Sequence, residues 1–141
     1  MSDDTTGIPE GYTYEPSTSR FVNEVGRNFH KTIVNEDGTK VHCTAIRVEE
    51  RHVNTWGLAH GGFMAAVSEF MSAGGYEPGG PPVVAMEMSM QFIRAPKLGD
   101  LIETRSYVKR RTRSVVFIYA EAFVGDDIVF SASSLHKVVG S

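Results

Sequence analysis

The chain has 141 residues, 41% hydrophobic and 22% charged, a balance that fits one compact domain with a real core and excludes a disordered or fibrous polymer. A formal net charge of -3 excludes a general nucleic-acid binder, and the single Cys43 excludes an internal disulfide framework and a multi-cysteine zinc site. No run approaches the roughly 20 apolar residues of a membrane span, and the acidic start MSDDTTGIPE lacks the regions of a signal peptide, so a cytoplasmic protein with no membrane partner is expected.

The first thirty or so residues carry no diagnostic pattern, and residues 1–19 are expected to form a flexible or loosely packed arm of a single domain spanning 1–141. Arg20 to His30 reads as a short helix, and Glu36-Asp37-Gly38 as a turn between strands over 31–34 and 40–49. Cys43 reads as a small buried hydrophobe. Between Gly61 and Met71 the apolar residues Phe63, Met64, Ala65, Ala66, Val67, Phe70 and Met71 cover nearly the whole circumference of a helix, which predicts a helix enclosed by protein on all sides. Glycines and prolines from Gly74 to Pro82 then permit a wide turn.

After that turn, Val84, Met86, Met88, Met90 and Phe92 alternate with Ala85, Glu87, Ser89 and Gln91, the period of a strand, and the methionines read as adaptable core. Leu101 to Val108, Ser114 to Val124 and Ile128 to Val138 are rich in β-branched and aromatic residues and are separated by charged or Gly-Asp-Asp turns, so the four segments predict an antiparallel meander. A long antiparallel sheet beside one almost wholly apolar helix buries both by curling around it. The expected fold is therefore α+β, a curved sheet of five to six strands wrapped around one long central helix, the hotdog arrangement. The five histidines have no metal-ligand spacing, so no metal is expected.

The stretch NTWGLAHGGFMAAVSEF, Asn54 to Phe70, resembles the helix-entry motif of PaaI-type hotdog acyl-CoA thioesterases. The run VVAMEMSMQFIRAPKLGD, Val83 to Asp100, is similar to that family's following strand and its Pro-x-x-Gly-Asp turn. The resemblance implies hydrolysis of an acyl-CoA, with the Gly61 backbone NH as oxyanion donor, Asn54 positioning the reactants and Glu69 as the catalytic carboxylate. His60 shapes the turn, and Gly61 with Gly62 opens the backbone to a substrate. Some relatives carry a hydroxyl residue at the position that matches Ala85, which here has none.

These roles also have physical reasons. Negative charge develops on the thioester oxygen, and an NH at a helix N-terminus has no intrahelical partner and the helix dipole behind it. A carboxylate set in an apolar helix is expected to be buried and to act as nucleophile or general base. Eight residues at about 1.5 Å each place Gly61 and Glu69 roughly 12 Å apart, so one chain cannot bring both to one carbonyl. If both act, the enzyme is a homodimer with shared sites; the resemblance implies the same, and a dimer of dimers. For the phosphates of coenzyme A, Lys109, Arg110, Arg111, Thr112, Arg113 and Ser114 offer charge and hydroxyl donors at a hairpin tip; the alternative is a solvated basic turn.

Two rivals stand beside this reading. A hotdog hydratase or dehydratase needs an acid/base pair that the spacing from His60 to Glu69 does not supply, and hydratase patterns use Asp where this chain has Asn54. A non-catalytic acyl-thioester or lipid-binding module would keep the fold and lose turnover, which Ala85 favours.

Overall fold

The computed structural model of the chain describes residues 7–70 and 79–140. Seven strands, β1 (Thr13–Tyr14), β2 (Phe29–Val34), β3 (Lys40–Arg47), β4 (Val83–Phe92), β5 (Leu101–Arg111), β6 (Val115–Val124) and β7 (Asp127–Val138), form one sheet in the order β1-β2-β3-β5-β6-β7-β4. Every neighbouring pair is antiparallel. The helices are α1 (Arg20–Val25) and α2 (Gly61–Phe70). Strand count is thus seven rather than five to six, the addition being the two-residue β1 and the full set β2 to β7 in a single sheet.

The core expected around the apolar helix is present. Phe63, Met64 and Val67 of α2 pack against Ile46, Ile102, Ala120, Ala122 and Phe130 from four strands. Alternation along a strand then puts Ala132, Ser134 and His136 of β7 on this same helix-facing side, because Ala132 pairs with Ala120 and Ser134 with Ile118. The opposite face carries a second cluster, Tyr12, Phe29, Cys43 and Ala45, and Cys43 is the buried small residue its type predicts. Burial raises the Cys43 thiol above its ordinary pKa, which keeps it a thiol rather than a nucleophile.

Four expectations need correction. The helix from Arg20 ends at Val25 instead of His30, because the backbone turns extended at Gly26, whose NH closes the last turn on the Val22 carbonyl, and the chain then enters β2 at Phe29. The meander holds only for β5, β6 and β7: β4 pairs with the far side of β7 and forms the edge of the sheet. Of the methionines expected in the core, Met88 and Met90 are half-buried and Met90 packs against the core around α2, while Met86, at a bulge in this edge strand, is 56% exposed. The helix is likewise open on one side, with Glu69 exposed and Ala65 and Ala66 half-buried. Of the arm expected over 1–19, residues 1–6 lie outside the described residues, while Tyr12 is buried and its hydroxyl donates to Glu103 Oε2 at 2.8 Å. The predicted turn at 74–82 and the last helical residue, Met71, also fall largely or wholly outside the described residues.

His52 ties these parts together. It is buried and its ring stacks on Phe63 with centroids 3.9 Å apart. Its Nδ1 accepts the Glu49 NH at 2.9 Å, which leaves Nε2 to donate to the Val25 carbonyl at the end of α1. One imidazole thus fixes the end of α1, the short 3-10 turn Glu50–His52 and the first turn of α2. Replacing His52 with Ala strands a half-buried NH and a half-buried carbonyl and removes the stack of a buried ring, so we expect a loss of about 2–4 kcal/mol in denaturant unfolding. A loss below about 0.5 kcal/mol would show that the ring is not a structural tie.

Candidate active site

The segment before α2 is a folded loop locked onto the Pro96 to Asp100 turn. Asn54 Oδ1 accepts the NH groups of Trp56 at 2.9 Å and Leu58 at 3.1 Å, closing the loop on itself. Ala59 NH donates to the Pro96 carbonyl at 2.6 Å and Leu98 NH to the Gly57 carbonyl at 3.3 Å. Gly99 at φ 91° and Gly57 at φ 74° give both turns the left-handed backbone they need. Asp100 closes its own turn by accepting the Lys97 NH at 3.0 Å. The Asn54 carbonyl oxygen is therefore committed to the loop, leaving only its NH2 group able to reach outward.

His60 caps the helix. Its carbonyl accepts the Met64 NH at 3.1 Å, the first helical bond, and its Nδ1 accepts the Gly62 NH at 2.9 Å. A Cβ on Gly62 would press to 3.1 Å from that ring nitrogen, so glycine makes room for the cap. Among the described residues the Gly61 NH has no hydrogen-bond partner, which leaves it as the donor at the N-terminal end of α2. A Cβ on Gly61 would make ordinary contact with the Phe92 ring at 3.8 Å, so this residue sits beside the end of β4.

Glu69 lies two turns further on, about 12 Å along the axis. Its expected burial is corrected: it is exposed in the single chain, at the mouth of the space between α2 and the β4–β7 strands. It lines a cavity of 170 Å³ together with Ala85, Met86, Met88, Ser134 and His136, and a second of 460 Å³ with Val22, Asn28, His30, Phe70 and Val83. Gly61, Gly62, His60 and Asn54 therefore gather at one end of the helix and Glu69 at the other. Ala85 faces the Glu69 cavity and brings no hydroxyl to it.

Two residues at that cavity were not singled out in the sequence. Ser134 Oγ and His136 Nε2 lie 3.0 Å apart, and His136 is 1% exposed. Strand alternation puts 134 and 136 on one face, but that this face meets Glu69 depends on β4 pairing with β7, which no local pattern announces. The basic segment forms the expected hairpin tip, with Arg110, Arg113 and Ser114 exposed. Thr112 is occupied in the turn, its hydroxyl bonding both the NH and the carbonyl of Val115. In register, Arg111 pairs with Val116, Val116 with His136 and His136 with Ala85, so the tip stands at the Glu69 end of the sheet.

The profile of the thioesterase superfamily matches residues 57–131, more than half of the chain. The chain belongs to the thioesterase superfamily. Human acyl-coenzyme A thioesterase 13 is 30% identical over 98 residues, 64% of this chain and 69% of the human one. Among solved structures, a mutant of phenylacetic acid degradation protein PaaI from Thermus thermophilus superposes with a TM-score of 0.71 at 21% identity, over 86% of this chain and 100% of that one. A hypothetical thioesterase protein from Streptococcus pneumoniae, solved with coenzyme A, gives 0.68 at 19% identity over 79% and 87%. The expected thioesterase resemblance is borne out at the level of the superfamily, and the PaaI structure shares the fold of one main helix on an antiparallel sheet. The superfamily match takes in Gly61, Gly62, Glu69 and the basic hairpin tip, begins after Asn54, and stops before Ser134 and His136.

Burial lowers the pKa of His136 from its ordinary 6.5. The unfolded thioesterase chain therefore binds a proton that the folded one refuses, so this contribution to stability is complete above about pH 6.5 and drains away as the pH falls below it. Unfolding free energies measured between about pH 7 and pH 5 should fall more steeply for the native chain than for His136→Phe. Parallel slopes would contradict the burial of a neutral imidazole.

Proposed function

We propose that this chain is an acyl-CoA thioesterase that works as a homodimer, each site taking the Gly61 NH from one subunit and Glu69 from the other. The observation that carries this is the separation of the two groups: an unpartnered NH at the start of α2 and a carboxylate about 12 Å along the same rigid helix. A twofold partner placing an antiparallel helix alongside solves the geometry at two sites at once. The exposed apolar edge strand β4, with Val84, Met86 and Phe92 each more than half exposed, is the surface such a partner would cover.

The reaction follows from the groups present. The Gly61 NH, backed by the helix dipole, stabilises the negative charge that develops on the thioester oxygen. Glu69 either takes a proton from an attacking water or attacks the carbonyl carbon itself, giving an anhydride that water then opens. Both routes break the carbon–sulfur bond, release coenzyme A as its thiol and leave the free acid. Asn54, its carbonyl oxygen spent on the loop, offers the NH2 group to the reactants. Coenzyme A, part of the substrate and no resident cofactor, would rest its phosphates on Arg110, Arg111 and Arg113. The row from Arg111 to Ala85 crosses three strand spacings, about 14 Å, which suits the extended arm between those phosphates and the sulfur. The Streptococcus pneumoniae protein solved with coenzyme A supports this choice of substrate.

A binding module without turnover is the second reading, favoured by the missing hydroxyl at Ala85. Thiol release from acetyl-, hexanoyl- and phenylacetyl-CoA separates the two. We expect turnover of at least one, reduced about 10²- to 10⁴-fold by Glu69→Gln. Gly61→Pro should lower it about 10²- to 10³-fold, because proline at the first helical position removes the NH while remaining compatible with the helix. No release from any of the three would sink the hydrolase reading.

A further inference from the structure

We propose that Ser134, held by the buried imidazole of His136, supplies the hydroxyl that orients the water attacking at Glu69, in the place that Ala85 leaves without one. The inference rests on the reading of the chain as a thioesterase that uses Glu69. Across the β4–β7 pair, Ala85 stands opposite His136 and Met88 opposite Ser134, so the hydroxyl and the imidazole share the face of Ala85 and line the same 170 Å³ cavity as Glu69. That volume holds several waters, each taking about 30 Å³, and the cavity wall offers a hydroxyl and two carboxylates, Glu69 and, at its β4 side, Glu87, to bind one.

The imidazole decides which way the hydroxyl points. His136 Nδ1 is buried and, among the described residues, has no hydrogen-bond partner. A buried NH without an acceptor is costlier and rarer than a bare acceptor, so the proton belongs on Nε2, which donates to Ser134 Oγ at 3.0 Å. Ser134 then receives its bond from His136 and keeps its own O–H free to donate into the cavity. The neutral state that burial imposes on His136 fits this donor role.

Both routes at Glu69 need a water delivered there, directly or to open the anhydride. In the direct route the Ser134 O–H donates to that water, the water oxygen bonds the thioester carbon, and its proton passes to Glu69. The carbon–sulfur bond then breaks, and the proton moves from Glu69 to the departing thiolate. Ser134 keeps its proton throughout, so it positions the water and transfers nothing, and His136 acts only through Ser134.

The test is steady-state thiol release from hexanoyl- and phenylacetyl-CoA by the full chain. Ser134→Ala should lower kcat about 10- to 100-fold with KM nearly unchanged, the mark of a group that acts on the attacking water rather than on substrate binding. Ser134→Thr should keep most of the turnover, and adding Ala85→Ser to Ser134→Ala should recover at least part of it by returning a hydroxyl to the same cavity. Native kcat in Ser134→Ala, or a loss that neither hydroxyl restores, would overturn the proposal. Glu69→Gln run in parallel separates the two levels. If it is inactive while Ser134→Ala is native-like, only this inference fails; if it retains native turnover, the underlying reading fails and this one falls with it.

Discussion

The rigidity of a helix governs the rest of the molecule. An α-helix advances about 1.5 Å per residue and does not fold back, so a donor at the start of α2 and a carboxylate two turns later cannot meet at one carbonyl. On the proposed shared site, each is presented to a neighbouring copy instead. The open side of α2 carries Glu69, and β4 lies beside it as an uncovered edge with Phe92 next to Gly61 at one end and Ala85 next to the Glu69 cavity at the other. Features that would be liabilities in a monomer, an exposed carboxylate on an apolar helix and an apolar strand edge, become consistent once a second copy is supplied.

The donor end is held by hydrogen bonds from backbone NH groups to side chains and by one ring stack, the carboxylate end by apolar packing. Around Gly61 the Asn54 loop, the Pro96 to Asp100 turn, the His60 cap and the His52 stack all fix the entry of the helix. An oxyanion donor gains most when it is already aimed before the reaction, since no reorganisation is then needed as charge develops. At the other end, Val67 and Phe70 anchor the helix to the core while Glu69 between them turns outward.

Much of this was legible in the residues, where local chemistry dictates structure. The apolar run from Phe63 gave the helix, His-Gly-Gly its start, Glu36-Asp37-Gly38 a turn, and the β-branched segments three strands nearly to their ends. Misreadings arose where the answer lay in pairing between distant segments. The Met86 to Met90 alternation is that of a half-buried strand, and only the pairing with β7, with a bulge between Ala85 and Glu87, decides that Met90 packs on the core while Met86 is exposed. His136 looked like one of five scattered histidines because its neighbours, Ala85 and Glu69, come from elements 51 and 67 residues away in the chain. Asn54 matched a family position, yet its role in closing the loop follows from its own side chain, an ability common to asparagine in turns.

The central claim, that each site is built from two chains, can be tested by subunit exchange. Glu69→Gln keeps the donor and loses the carboxylate; Gly61→Pro does the reverse. In a mixed dimer one site holds both intact groups and the other neither, so an equal mixture, allowed to exchange fully, should recover about one quarter of native turnover per chain although each variant alone is nearly inactive. A mixture that exchanges subunits and stays as inactive as its components would contradict the shared site.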